Sequence, residues 1–139
     1  MKFLLEIITP ERKAFSEQVD LVSAPTSDGV IGVLARHMPL FTSLVEGEVK
    51  IKADDREYYL AIGGGFMQVL KDKVIILVSR AVHSEELNEE EIRKAERQAK
   101  EIIAKVAQGA ERAQAMTILR RSLLDMKVLK RRHHSPQIN

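Results

Sequence analysis

Residues 88–132 decide the fold of this chain, and they read NEEEIRKAERQAKEIIAKVAQGAERAQAMTILRRSLLDMKVLKRR. Asn88 and the three glutamates after it are typical of a helix start. The amide side chain can accept from a free backbone N–H, and carboxylates favour the positive end of the helix dipole. Apolar residues then recur at spacings of three and four, which predicts one buried helical face. These residues are Ile92, Ala95, Ala99, Ile102, Ile103 and Val106.

A second periodic run follows an interruption at Gln108-Gly109. Its apolar stripe is predicted to comprise Met116, Leu119, Leu123 and Met126, with Ile118, Leu124 and Leu129 nearby. Two amphipathic helices joined by a few residues favour an antiparallel hairpin. The facing surfaces are rich in alanine, which buries little apolar area, and continuing the helix through the glycine would cost only about 1 kcal/mol. We therefore hypothesise that the hairpin and an extended rod lie close in free energy.

The composition changes where this helical stretch begins. All six aromatic residues and six of the seven glycines precede residue 67. Residues 1–88 carry a net charge of −3, whereas residues 89–139 carry +5, and this excess arises after Gln108. We predict a β domain over residues 1–87 and a helical hairpin with a short basic tail over residues 88–139. The chain has no cysteine, which excludes disulfides and thiolate chemistry and fits a reducing compartment.

The N-terminal part contains short β-type runs that end at turn signals. They cover residues 3–8, 19–24, 30–34, 49–52, 57–62, 66–70 and 74–79. No stretch before Asn88 has a convincing helical period. The spacing of the runs predicts a sandwich or barrel of about 85 residues, near the lower limit at which a core alone confers stability.

Three features invite a catalytic or ligand-binding interpretation. Gly63-Gly64-Gly65 opens no helix and lacks the lysine of a phosphate-binding loop, so a sharp bend or a close backbone approach is favoured. His37 has no second ligand at metal-binding spacing, and a lone loop histidine is more often a contact residue. His133 and His134 are adjacent and would point in different directions on a helix. We predict no catalytic residue and no metal site.

Membrane insertion is not expected from the sequence. The first five residues briefly resemble a secretory leader, but Glu6 interrupts them before an apolar core of adequate length forms. The longest purely apolar run, residues 74–78, is far below the roughly 20 residues of a membrane span. Docking beside a membrane remains compatible with this pattern.

Two segments carry a family resemblance: GVIGVLARHMPL at residues 29–40 and LAIGGGFMQV at residues 60–69. Together with the helical pair, they resemble the epsilon subunit of the bacterial F-type ATP synthase. That family combines a G-x-x-G-(I/V)-(L/Y)-P-G-H-x-P-L stretch, a later Gly-Gly-(F/I)-x-(E/Q)-V strand and a C-terminal helical hairpin. The resemblance covers nearly the whole chain. It implies an all-β flattened sandwich of about ten strands, followed by an antiparallel two-helix hairpin.

The resemblance also implies a function. Such a subunit is a non-catalytic part of the rotating central stalk and links gamma to the ring of c subunits, as a peripheral protein on the cytoplasmic side of the bacterial cell membrane. Its helices either rest on the sandwich or extend along gamma toward the catalytic alpha and beta subunits, where they hold back ATP hydrolysis.

A loop histidine faces the c ring in the family, and His37 matches it. The resemblance therefore implies contacts to the c ring and gamma from Val30, Arg36, His37 and Met38. The chain departs from the family pattern at two of these places. Ala35-Arg36 replaces the usual Pro-Gly, and Val30 stands where a carboxylate is common.

The second helix ends in a basic segment. Its cations are Arg120, Arg121, Lys127, Lys130, Arg131 and Arg132. Cations near a helix C-terminus are favoured by the dipole, and we prefer this explanation for Arg131 and Arg132. For Arg120, Arg121 and Lys127 the resemblance implies contact with an acidic loop of the beta subunit. The alternative is a stand-alone module that contacts nucleic acid through a basic helix, but the absence of aromatic residues here argues against a nucleic-acid partner.

Some bacterial members of the family bind ATP through an I/L-D-x-x-R-A motif at the first helix. Shifting that motif by two residues finds Glu90 and Arg93 as its acid and arginine. Arg121 matches one basic position of the second helix, whereas Asp125 occupies the other, where a carboxylate would repel phosphates. Glu90, Arg93 and Arg121 are therefore the candidate nucleotide contacts. We expect no cofactor, and ATP is a possible regulatory ligand that the sequence does not favour.

Overall fold

The computed structural model describes residues 1–133, which form ten strands and then two helices. The predicted tail beyond this point, including His134, lies outside the described residues. The strands are β1 (Phe3–Ile8), β2 (Lys13–Val19), β3 (Leu21–Thr26), β4 (Gly29–Leu34), β5 (Leu40–Leu44), β6 (Gly47–Ala53), β7 (Arg56–Ile62), β8 (Gly65–Val69), β9 (Lys73–Val78) and β10 (Ala81–His83). The helices are α1 (Glu89–Lys105) and α2 (Ala110–Lys130), and single 3₁₀ turns span Ser84–Glu86 and Arg131–His133.

The strands form two five-stranded sheets, in the orders β2-β1-β9-β8-β5 and β10-β7-β6-β3-β4. Neighbouring strands are antiparallel, except that β1 and β9 pair in parallel. Aliphatic side chains alternate into the space between the sheets, and Leu5, Ile51, Leu60 and Ile76 are fully buried there. The all-β sandwich followed by a helical hairpin is therefore confirmed.

Three of the ten strands were not predicted from the sequence: β2, β5 and β10. The predicted run at residues 19–24 was wrong at its start, because the chain turns at Asp20 between β2 and β3. The Asp20 carboxylate holds this corner by accepting from the backbone N–H of Asp54 at 2.7 Å and from Lys2 Nζ at 3.1 Å. Strand β10 has only three residues, too few to show a period.

The glycine run at residues 63–65 lies between β7 and β8. Gly65 pairs with Val78 of β9, and a Cβ at this position would collide with the backbone carbonyl of Leu77. At Gly64, by contrast, the nearest atom to an added Cβ is 3.5 Å away. Close backbone approach at Gly65 therefore explains one glycine of the run without any phosphate ligand.

Helix α1 begins and ends as its sequence dictates. The Asn88 side chain accepts from the backbone N–H of Glu91 at 3.1 Å, which confirms the predicted cap. After α1, Gly109 adopts a φ of +106°, a conformation that favours glycine and lets the chain reverse. Arg112 of α2 donates to the carbonyl oxygens of Ile103 and Val106, which gives two of the carbonyls at the C-terminal end of α1 a partner.

The stripe predicted on α2 is partly confirmed, because Leu119 and Met126 are half-buried and Met126 packs against the apolar cluster on β7. Met116 and Leu123 are 39% and 54% exposed. The residues that are buried instead are Ala115, Ser122, Asp125, Val128 and Leu129. Two of these are polar, and each is satisfied: the Ser122 hydroxyl donates to the carbonyl of Ile118 at 2.8 Å, and Asp125 is bound by an arginine of the sandwich. Short or paired side chains thus allow the close packing that longer apolar ones would prevent.

Candidate functional site

The hairpin rests on the sandwich through a small apolar cluster, which we call the docking seam. It lies on the outer face of β7 and gathers residues from both helices. Its buried members are Tyr59, Ala61, Leu87, Ile92, Val128 and Leu129. The Tyr59 hydroxyl donates to Glu57 at 2.6 Å, and burial, together with this carboxylate, raises the pKa of Tyr59 to about 12.

Two ion pairs join the hairpin to the sandwich beside the docking seam. Arg80, between β9 and β10, donates from both terminal nitrogens to the two carboxylate oxygens of Asp125, at 2.9 and 2.6 Å. Arg131, just after α2, donates to both oxygens of Glu48 on β6, each at 3.0 Å. Its guanidinium carbon also lies 5.4 Å from the centroid of the Tyr59 ring. Bidentate pairs of this kind fix orientation as well as contributing energy.

These contacts correct the interpretation of Arg131 and Arg132 as cations placed by the helix dipole alone. Arg132 donates to the backbone carbonyls of Glu85 and Leu87, at 3.4 and 3.3 Å. Both arginines therefore bind the sandwich and the segment that follows it. No local pattern could indicate the Arg131 contact, because Glu48 lies 83 residues away along the chain.

The three mid-helix cations Arg120, Arg121 and Lys127 are exposed, and none makes an ion pair within residues 1–133. They do not share one face of α2. Arg120 and Lys127 are seven residues apart and nearly superimposed along the helix, whereas Arg121 is turned by about 100°. Arg121 lines a cleft of 330 Å³ between the hairpin and the sandwich, and Lys127 lines a groove of 530 Å³ between the helices.

The candidate nucleotide contacts are also distributed over different surfaces. Glu90 is exposed at the start of α1. Arg93 donates to Glu89 at 2.8 Å and lines the same groove as Lys127, whereas Arg121 lines the other cleft. That cleft also contains two carboxylates, Glu91 and Asp125.

The loop after β4 brings three of the predicted stalk contacts together. Arg36, His37 and Met38 line a cleft of 830 Å³ at one end of the sandwich. Arg36 adopts a φ of +66°, which is a left-handed conformation. The family pattern has glycine at this position. Met38 is 78% exposed. Val30, 73% exposed on β4, is not part of the cleft lining.

A second exposed surface was not identified from the sequence. On the outer face of the sheet that contains β5, β8 and β9, Phe41, Phe66 and Leu77 are 65%, 49% and 50% exposed. The two rings are stacked with centroids 5.4 Å apart, and Phe66 pairs with Leu77 in the sheet. We call these three residues the apolar patch. Large apolar residues at alternate, outward positions of three strands were the available signal, since such positions are usually polar in antiparallel sheets.

Two further properties concern residues 1–133 only. No three side chains of the metal-binding types cluster closely enough there to hold an ion. Neither described helix has the length and apolarity needed to cross a bilayer.

Comparison with known proteins identifies the family. The family described as ATP synthase, Delta/Epsilon chain, beta-sandwich domain matches residues 2–84. The ATP synthase epsilon chain of Dehalococcoides mccartyi is 38% identical over 138 residues, which cover 99% of this chain and 99% of that protein. The chain therefore belongs to the family of ATP synthase epsilon chains.

Solved structures agree with the fold. A chain in the OSCP/F1/c-ring structure of the Euglena gracilis mitochondrial ATP synthase is 19% identical with a TM-score of 0.67, over 98% of this chain and 82% of that one. A chain in the central stalk/c-ring structure of the Tetrahymena thermophila mitochondrial enzyme is 15% identical with a TM-score of 0.61, over 93% and 97%. At these identities the likeness concerns the fold.

Proposed function

We propose that this chain is a non-catalytic subunit of the central stalk of its ATP synthase, where it links gamma to the c ring during proton-coupled ATP synthesis. We also propose that its hairpin holds back ATP hydrolysis after leaving the sandwich and extending toward the alpha and beta subunits. The docking seam carries this proposal. A small cluster at one end of the hairpin holds it on a sandwich that has a complete core of its own.

The position of the seam makes release of the hairpin feasible. Ile92 lies in the first turn of α1, and Val128 and Leu129 lie in the last turn of α2. The opposite end of the hairpin, around Gly109, takes no part in the seam. Opening the seam therefore exposes a limited apolar area and leaves the core between the two sheets intact.

The apolar patch supports a protein partner on the sandwich. Phe41 and Phe66 expose stacked rings, and aromatic residues are enriched at protein interfaces. We assign this patch to the gamma subunit, because it lies on the sheet opposite to the one that carries the hairpin. Gamma could then stay bound while the hairpin moves.

The loop that contains Arg36, His37 and Met38 is assigned to the c ring. Its exposed methionine and its cations suit a mixed apolar and polar loop surface on the partner. Val30 extends this contact on β4 with an apolar side chain. The subunit would accordingly lie at the cytoplasmic side of the cell membrane as a peripheral protein.

The exposed cations Arg120, Arg121 and Lys127 are assigned to an acidic surface of the beta subunit. They have no ion pair within residues 1–133, so a partner can bind them without first breaking an internal contact. Because Arg121 faces away from the other two, we expect it to contribute separately from them.

We infer that the cleft that contains Arg121 is electrostatically unfavourable for a regulatory nucleotide. Asp125 is already bound by Arg80, and Glu91 adds a second carboxylate to the lining. Carboxylates so close to a triphosphate would repel it. We therefore propose that ATP is not a tight regulatory ligand of this chain, and isothermal titration that gave micromolar affinity would contradict this.

The decisive experiment reverses the three cations. We expect the variant with Arg120→Glu, Arg121→Glu and Lys127→Glu to relieve inhibition of ATP hydrolysis in the reconstituted complex, because six units of charge change on the proposed contact. ATPase rate at saturating ATP is the readout. Binding of the variant to the complex must be measured in parallel, since a dissociated subunit would also relieve inhibition.

The matched control reverses three exposed cations of α1: Lys94→Glu, Arg97→Glu and Lys105→Glu. It alters the net charge equally and should leave inhibition close to the wild-type level. Unchanged inhibition in the α2 variant would refute the ionic contact. Equal relief in both variants would attribute the effect to net charge rather than to these positions.

A further inference from the structure

The two ion pairs across the docking seam have a reciprocal arrangement. The sandwich supplies one arginine and one carboxylate, Arg80 and Glu48, and the helical segment supplies the opposite members, Asp125 and Arg131. Both pairs are bidentate. Each body therefore presents one positive and one negative group to the other, at two separate points.

This arrangement favours one placement of α2 along the sandwich over others. Asp125 and Arg131 are six residues apart, about 9 Å along a helix. A shift of α2 by one turn would move each group about 5 Å away from its partner. In one direction Lys127 would replace Arg131 opposite Glu48, but Arg121 would then replace Asp125 and face Arg80 as a like charge. A hydrophobic cluster alone is less selective, since apolar contacts are non-directional. The ion pairs therefore define one seated position.

The Arg80–Asp125 pair is the more buried of the two ion pairs. The Asp125 side chain is 9% exposed and that of Arg80 is 25% exposed. Removing one member of such a pair leaves the other poorly solvated, which is strongly destabilising, even though the intact pair adds little net stability over an apolar replacement. The seated hairpin therefore depends on both members being present.

The Arg131–Glu48 pair also affects which groups a partner can reach. In the seated state Arg131 is bound by Glu48 and lies over the Tyr59 ring. Lys127, four residues earlier, is exposed on the same helix end. When α2 leaves the sandwich, the guanidinium of Arg131 separates from Glu48. It can then bind an acidic surface on a partner.

We propose that Arg80–Asp125 and Arg131–Glu48 form a reciprocal latch, an internal contact that sets the single seated position of the hairpin and withholds Arg131 from acidic partners. The latch deepens the proposed regulatory function and rests on it for its role in the complex. In the isolated chain, the latch is a property that can be tested without that function.

Amide hydrogen exchange on the full chain tests the latch directly. Arg80→Met and Asp125→Asn should each accelerate exchange of the α2 amides by about tenfold or more, because each leaves a poorly solvated partner. Amides of β1 and β9 provide the internal reference for an intact sandwich. The control Lys100→Met removes the exposed pair with Glu96 and should leave α2 exchange unchanged.

Swapping the two charged side chains distinguishes loss of the specific Arg80–Asp125 pair from a general disruption of packing by the substitutions. Arg80→Asp and Asp125→Arg alone should each accelerate α2 exchange, and the double variant should return it toward the wild-type rate, because the combined side-chain length and both charges are retained. Single variants within about twofold of wild type would overturn the latch. So would a double variant that exchanges as fast as the single ones.

The reconstituted complex shows whether the latch is used. Asp125→Asn and Glu48→Gln should strengthen inhibition of ATP hydrolysis, because both favour the released hairpin. Accelerated exchange in the isolated chain without any change of inhibition would refute the regulatory function and leave the latch standing. Unchanged exchange would refute the latch, whatever the ATPase rates.

Discussion

The interior of the sandwich and the docking seam are two interfaces of the same chain that are built differently. Between the sheets, long aliphatic side chains such as Leu5, Ile7 and Ile76 are completely buried. In the docking seam only six residues are buried, and one of them is an alanine. Two ion pairs lie beside this cluster, whereas ion pairs around the sandwich lie on its outer surface.

The difference supports the proposal that the hairpin can leave the sandwich while the core between the sheets stays intact. Apolar burial scales with area, so the larger interior dominates the stability of the sandwich. The docking seam combines a small area with charged groups that gain water when they separate, which lowers the net cost of opening. We therefore expect substitutions to weaken the sandwich core and the docking seam independently of each other. Four predictions test this independence.

The largest effect is expected inside the sandwich. Gly65→Ala places a Cβ against the carbonyl of Leu77 and should lower the free energy of unfolding by about 3 kcal/mol or more, since the obstacle is backbone that cannot rotate away. Gly64→Ala, with 3.5 Å to the nearest atom, is the matched control. Urea denaturation of both variants gives the comparison. Equal midpoints would contradict the close approach described for Gly65.

A smaller effect is expected in the docking seam. Val128→Ala removes two buried methyl groups and should weaken seating of the hairpin by about 2 kcal/mol without changing the urea midpoint of the sandwich. The measure is the rate of tryptic cleavage in α2 under native conditions. Leu123→Ala, a larger truncation at a 54% exposed position of the same helix, should change cleavage little. If Leu123→Ala had the greater effect, the predicted stripe would be the true contact face.

Alkaline pH should act on the docking seam through Tyr59. Its pKa is raised to about 12, first by burial and then by Glu57. Release of the hairpin removes the burial but leaves Glu57, which lies on the same strand, so the released state has a lower pKa than the seated one and loses the phenol proton first. Seating should therefore weaken as the pH rises toward 12. Energy transfer between dyes on single cysteines introduced into α2 and the sandwich would follow the release. Tyr59→Phe should flatten the pH profile, and an unchanged profile would remove Tyr59 as the cause.

The smallest effect is expected from Glu6 on the sandwich surface. Lys13 and Lys73 bind its carboxylate at 2.6 and 2.5 Å and lower its pKa from 4.5 to about 2. This contribution to stability is complete above pH 4.5 and is lost as the pH falls from 4.5 toward 2. Urea midpoints at pH 5, 4 and 3 should converge for wild type and Glu6→Gln. A constant difference would show that these lysines do not set the pKa.

Sequence patterns predicted the features that depend on neighbouring residues. The cap at Asn88 and the buried face of α1 follow from spacings within one helix. Strands with a clear alternation were also found, whereas β10, with three residues, was too short for any period. The break at Gln108-Gly109 was recognised because the apolar period is interrupted there, and Gly109 has a φ of +106° in the structure.

The docking seam could not be predicted in the same way. Asp125 occupies a buried position of α2 only because Arg80 reaches it from a loop between two strands, 45 residues away in the chain. A pattern that assigns buried positions by hydrophobicity prefers Leu123, which is exposed, over Asp125, which is buried. The family resemblance pointed to the loop at residues 36–38 as a proposed contact and to the helical hairpin, but the ion pairs are recognised only from the fold.

The contact between Arg112 and the end of α1 has a consequence for how the hairpin can straighten. In a continuous helix the carbonyl of Ile103 would accept from the backbone N–H of residue 107, and that of Val106 from residue 110. These are the same two oxygens that Arg112 occupies when the chain is bent. If the hairpin straightens as proposed, Arg112 releases these two oxygens to backbone N–H groups, and each oxygen has a donor in both states.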